Sequence, residues 1–162
     1  MATSTRAASV ADLAFLLSQA SHALTTEMTA GLTELGISPR GHCVLSRAMS
    51  CDLTQSQVAE LCALDKTTMV VTIDELEKAG FVQRRPSSTD RRARIVWVTE
   101  EGKRTVAQAH EIVARICDDV LAALPARERE AFVDGLVRLV QGRLSTPVHC
   151  ERPVRRRAPR VP

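Results

Sequence analysis

The stretch LTQSQVAELCALDKTTMVVTIDELEKAG, Leu53 to Gly80, decides how this chain folds. Thr54 is a good N-cap, and Gln57 stands three residues later, so the two complete a capping box. Leu53 and Val58 occupy the staple positions around that cap. The spacing predicts a short helix over Gln55 to Cys62. Asp65 is a second N-cap, stapled by Leu64 and Met69, and opens a helix over Lys66 to Ala79 that Gly80 ends. Two capped helices separated by a tight turn make a helix-turn-helix.

Outward from this pair, Phe81 to Arg84 and Ala93 to Thr99 read as short strands, with Ile95, Val96, Trp97 and Val98 in succession. Pro86, Ser87, Ser88 and Asp90 make the connection a loop. A helix-turn-helix followed by a hairpin is a winged helix. Upstream, Leu13, Leu16, Leu17, Ala20, Leu24, Met28 and Leu32 recur at helical spacing, which predicts a helix over 10–35 ended by Gly36. Ser38 caps the next helix, with Pro39 at its first position, to about Met49. Downstream, Thr99 caps a helix over 100–124, and Pro125 opens a last one over 126–144 with Phe132, Leu136, Leu139 and Val140 on one stripe. The fold class is therefore mainly α with a small β-hairpin wing.

Three domain segments follow. Residues 38–99 form the winged helix-turn-helix, and 1–37 with 100–144 form an added helical region. Its helices carry apolar faces with little else to bury them, so the reading is that they clamp a second copy of the chain. Residues 145–162 hold the Arg- and Pro-rich tail and read as disordered.

Composition narrows the function. At 162 residues and 44% hydrophobic the chain suits one folded domain with a tail. Three Phe, one Trp and no Tyr argue against base-stacking platforms. No apolar run approaches a membrane span, and the first ten residues lack a signal-peptide core, so the expected location is the cytoplasm. Five scattered Cys with no CxxC fit reduced thiols. No glycine-rich phosphate loop, HExxH or nucleophile elbow occurs, so the chain does not read as an enzyme and no cofactor is expected. The net charge is only +3, but Arg84 to Arg94 holds five Arg and one Asp. That basic stripe falls on the hairpin, where a polyanion is the natural partner.

Placed on a helical wheel, Met69, Ile73 and Leu76 form the inner face of the second helix, and Thr67, Val71, Glu75 and Lys78 the outer one, with Thr68 beside them. Small polar residues at the start of such a face let a helix approach base edges, and Val71 suits a thymine methyl. Thr54 and Gln55 open the first helix, where free N–H groups favour a phosphate. Arg91 or Arg92 suits the minor groove, and Arg84 and Arg85 the phosphates. Asp90 reads as orienting an arginine of the wing.

These residues resemble a known family. LEKAGFV (76–82), RRPSSTDRR (84–92) and VTEEGK (98–103), in this order and spacing, are similar to the core of the MarR family of bacterial transcriptional regulators. The resemblance extends over about 10–144 and implies a homodimer on a pseudo-palindromic double-stranded operator, acting as a repressor. It carries recognition contacts onto Lys66, Thr67 and Thr68, a wing contact onto Asp90, Arg91 and Arg92, and a pairing of Asp74 with a wing arginine, here Arg92. Relatives often have Arg where Val71 and Glu75 stand, so direct guanine readout is reduced.

The resemblance also implies release by a small phenolic or anionic ligand between the first, second and fifth helices, where His22, His42 and Arg47 are the candidates. An alternative is thiol oxidation, with Cys51 and Cys43 as candidates and Cys62 and Cys117 as small core hydrophobes. Metal control lacks a second close ligand pair beside His42 and Cys43. A rival from another class is a winged helix that binds protein instead of DNA.

Overall fold

The computed structural model describes residues 12–49, 52–87 and 93–146. Its elements are α1 (Leu13–Leu32), α2 (Pro39–Ala48), α3 (Gln55–Leu61), α4 (Lys66–Lys78), β1 (Val82–Pro86), β2 (Arg94–Val98), α5 (Glu100–Ala122) and α6 (Ala126–Gln141). The Arg-rich part of the tail, 147–162, lies outside the described residues. No described helix is long and apolar enough to cross a membrane. The chain divides into two compact units within α5, after Asp118.

Local chemistry sets the boundaries. α1 tightens into a 3-10 turn over Thr33–Leu35, and Gly36 takes the left-handed φ of 67° that ends it. Ser38 Oγ accepts from the Gly41 N–H at 3.0 Å, which caps α2 behind Pro39. Thr54 and Gln57 form the reciprocal capping box of α3. Asp65 accepts from the Thr68 N–H at 3.0 Å and caps α4. The turn between α3 and α4 uses Ala63 at φ 51°.

The core of the first unit gathers Leu32 from α1, Val44 and Leu45 from α2, Val58 from α3, and Met69 and Ile73 from α4. Phe81, Val82, Val96 and Val98 bring the hairpin into it, and Val106 and Ala109 bring in α5. The strands are antiparallel in the register Val82 to Val98 and Arg84 to Val96. A third extended segment joins them: Thr54 forms a bridge with Ile95, and the Val96 N–H donates to Leu53 O at 3.0 Å. This contact couples the start of α3 to the wing and was not foreseen, because one bridging residue has no sequence periodicity.

Gly102 explains the glycine of VTEEGK. A Cβ there would stand 2.2 Å from the Phe81 carbonyl oxygen, so only glycine lets the first turn of α5 reach the hairpin base. Thr99 seals the same junction: its Oγ1 accepts from the Gly102 N–H and donates to Gly80 O at 2.8 Å.

The long helices bury little within one chain. Leu32 is the only buried residue of α1, and α6 has none. Phe15 on α1 is 64% exposed, and Val140 on α6 is 62% exposed.

Candidate nucleic-acid interface

α4 shows its two faces. Met69, Thr72, Ile73 and Leu76 are buried. Lys66, Thr67, Val71, Glu75 and Lys78 are exposed. Thr72 fits the inner face because its hydroxyl donates to Thr68 O at 2.8 Å, so no polar group is stranded. Thr68 is half-buried, and its own hydroxyl donates to Asp65 Oδ2 at 2.6 Å. The two hydrogen bonds from Thr68 hold the Asp65 carboxyl below its ordinary range. The first residues of α4 are thus braced before any ligand arrives.

Beside α4, Arg84 ties three elements together. Its guanidinium forms ion pairs with Asp74 and Glu77, and its Nε donates to Gln55 Oε1 at 3.4 Å. Its backbone N–H also donates to Glu77 Oε1 at 3.1 Å. Burial opposes the charge on Arg84, but the hydrogen bonds to Asp74 and Glu77 outweigh it and raise the pKa. Among the described residues Arg84 is the arginine that Asp74 meets; the expected partner, Arg92, lies outside them, as do Asp90 and Arg91. Arg84 is correspondingly engaged with carboxylates and is not a free cation. The role of Glu77 was missed, although its i,i+3 spacing from Asp74 on one helix face was the available signal.

Arg85, two residues from Gln83, lies over the Trp97 ring at 4.2 Å from its centroid and donates to Gln83 Oε1 at 3.0 Å. Stacking of this kind holds a guanidinium flat on a ring while leaving its edge to solvent. Thr54 and Gln55 sit where α3 meets β2. A groove of about 370 Å³ opens between α3 and α4, lined by Gln55, Ser56, Ala59, Glu60, Leu64, Lys66 and Met69.

The three ligand candidates differ in exposure. His22 is exposed on α1, and Arg47 is exposed in the last turn of α2. His42 faces inward: its Nε2 is buried without a hydrogen-bond partner among the described residues, as is Ser46 Oγ one turn later. Burial first, and then the charge of His110 from α5, lower the His42 pKa. His110 was missed because its approach to His42 joins residues far apart in the sequence. Cys51 lies outside the described residues. Cys62 packs half-buried against the core, and Cys43 Sγ donates to Cys62 Sγ at 3.7 Å.

The sequence profile of the MarR family matches residues 42–93, the segment from α2 into the wing. CouR from Rhodococcus jostii RHA1, solved bound to p-coumaroyl-CoA, is 28% identical; the match covers 85% of this chain and 96% of that one, with a TM-score of 0.71. A MarR-family transcriptional regulator from Rhodococcus sp. RHA1 is 27% identical over 88% of this chain and 100% of its own, with a TM-score of 0.74. The PcaV transcriptional regulator from Streptomyces coelicolor, solved with its natural ligand, is 26% identical over 88% of this chain and 99% of its own, with a TM-score of 0.66. Capped helix pair, braced wing, profile and neighbours agree: residues 42–93 match the MarR family profile, and the chain has the winged-helix fold of MarR-family transcriptional regulators and is similar to them over most of its length.

Proposed function

We propose that this chain is a homodimeric repressor that reads a pseudo-palindromic operator and is released by a small phenolic or anionic molecule. The carrying observation is α4: its inner face is packed, its outer face is bare from Lys66 to Lys78, and the wing is pinned beside it through Arg84. In this reading Lys66, Thr67, Thr68 and Val71 enter the major groove. Thr54 and Gln55 present N–H groups to a phosphate, Arg85 meets the backbone, and Arg91 and Arg92 reach the minor groove. Arg84 contributes by positioning the wing, with Asp74 and Glu77 as its anchors; Asp90 orients a wing arginine.

The exposed apolar residues of α1 (Leu13, Phe15, Leu16) and of α6 (Phe132, Val137, Val140) support a second copy as their cover. A small effector is supported by CouR, solved with p-coumaroyl-CoA, and by PcaV, solved with its natural ligand. In this chain the unpartnered His42 Nε2 and Ser46 Oγ, one turn apart on α2, are the polar atoms such a molecule would satisfy. His22 and Arg47 supply further polar and cationic groups at its rim.

The test is fluorescence anisotropy of the full chain on DNA from upstream of its own gene, with scrambled DNA as control. Tight, salt-sensitive and sequence-selective binding that aromatic acids reverse is the expected result. Equal, weak binding of both DNAs would sink it. A protein-binding winged helix would instead keep its function when Arg91 and Arg92 become Ala.

A further inference from the structure

The sulfurs of Cys43 on α2 and Cys62 at the end of α3 lie 3.7 Å apart, on two elements that no sequence spacing links. Both residues are partly open to solvent. Arg47 stands one turn from Cys43 on α2, and its charge is felt at Cys62. A disulfide needs sulfurs about 2.05 Å apart, so each must move by less than roughly 1 Å. We propose that Cys43 and Cys62 form a redox-active dithiol that a hydroperoxide closes to an intrachain disulfide, loosening the grip of α4 on DNA. The consequence for DNA rests on the regulator reading above; the dithiol chemistry does not.

The chemistry balances with the peroxide as the only oxidant. The Cys43 thiolate attacks the terminal peroxide oxygen, the O–O bond breaks, and an alcohol (or water) leaves with Cys43 as a sulfenic acid. The Cys62 sulfur then attacks the Cys43 sulfur. The S–S bond forms, the S–O bond breaks, and the hydroxyl leaves as water with the Cys62 proton. Two thiols are oxidised and one peroxide is reduced. Burial, then the neighbouring Cys43 sulfur, push the Cys62 thiol up to about 12, with Arg47 opposing. Cys62 is therefore protonated at neutral pH, so its attack on the Cys43 sulfur needs its proton to pass to the departing hydroxyl as the S–S bond forms, and closure is the slow step.

The link to α4 is short. Cys62 is followed by Ala63, with the left-handed φ of 51°, then by Leu64, half-buried against the core, and by Asp65, the cap of α4. The turn is held by bonds from the Ala63 N–H to Glu60 O at 3.1 Å and from the Leu64 N–H to Ala59 O at 2.9 Å. Drawing Cys62 toward α2 therefore shifts Asp65 and, through its bonds to Thr68, the residues that begin α4.

The reduced full chain is treated with equimolar cumene hydroperoxide, then digested without reductant; cleavage before Asp52 separates Cys51 from Cys62 in the peptides. The expected result is a Cys43–Cys62 linked peptide, a fall of about tenfold or more in affinity for upstream DNA, and recovery with dithiothreitol. Cys62→Ser and Cys43→Ser should bind DNA normally when reduced and ignore peroxide, while Cys51→Ser should respond like the natural chain. No linked peptide, or a link with unchanged affinity, overturns the proposal. If the reduced chain does not distinguish upstream from scrambled DNA, the regulator reading fails. The linked peptide still judges the dithiol, and its absence overturns that too.

Discussion

Arg84 links three elements of the winged helix through one side chain. Two carboxylates and a glutamine hold it, and they belong to α4 and to the start of α3, while its own backbone belongs to β1. Asp74 and Glu77 are themselves substantially solvated, so the ion pairs contribute modestly to stability. Arg84→Met should cost about 1 kcal/mol or less in a urea melt, yet weaken DNA binding well beyond that, because the wing loses its mooring. A melt and an anisotropy titration that fall in proportion would show that Arg84 is only a stabilising residue. Gly102 behaves oppositely. The Phe81 carbonyl oxygen lies 2.2 Å from the place a Cβ would take, so Gly102→Ala should destabilise by about 1–3 kcal/mol despite alanine's better helix propensity. A urea melt of that variant checks it. His42 adds a pH dependence. Its folded pKa lies below the ordinary 6.5, so the unfolded chain binds the proton more readily. Stability is complete above about 6.5 and declines as pH falls from there toward the folded pKa. Melts across this range should show the decline in the natural chain and lose much of it in His42→Gln.

The elements were readable where their ends carry local chemistry. Ser38, Thr54, Asp65 and Thr99 all cap the helices that follow them, and each bond spans three residues. Such short-range bonds are set by residue types at fixed offsets, which a sequence displays. Thr54→Ala should cost about 1 kcal/mol through loss of the capping box. It should also disturb β2, since Thr54 bridges Ile95. Hydrogen exchange at the Val96 N–H, which donates to Leu53 O, checks this coupling: faster exchange in the variant is the expected outcome, and unchanged exchange would show that the bridge is independent of the cap. Boundaries without such caps drifted. α1 changes to a 3-10 turn at Thr33, and α6 stops at Gln141 where apolar spacing alone had carried it to 144.

For the complete molecule, two predictions concern assembly and charge. Phe132→Asp with Val140→Asp places carboxylates on exposed positions of α6 that the dimer reading covers. Light scattering should then give the mass of one chain, and operator affinity should collapse; a mass of two chains would place the interface elsewhere. Replacing Arg91 and Arg92 by Ala should flatten the dependence of log affinity on log salt by roughly 0.9 for each phosphate that is no longer neutralised. An unchanged slope would remove those arginines from the interface.

The amino-acid sequence, read alone, settled the order of the elements, the caps of α2 to α5, the inner face of α4 and the winged helix. These follow from hydrophobic period and from hydrogen bonds a few residues long. Tertiary structure decided what lies far apart along the chain. It brought Arg84 to Asp74 and Glu77, Thr54 to Ile95, His42 to His110, and Cys43 to Cys62. None of these pairs has a spacing that a local rule recognises. They meet because burying Val44, Val58, Ile73 and Val96 in one core brings their helices and strands together, and their polar neighbours are carried along.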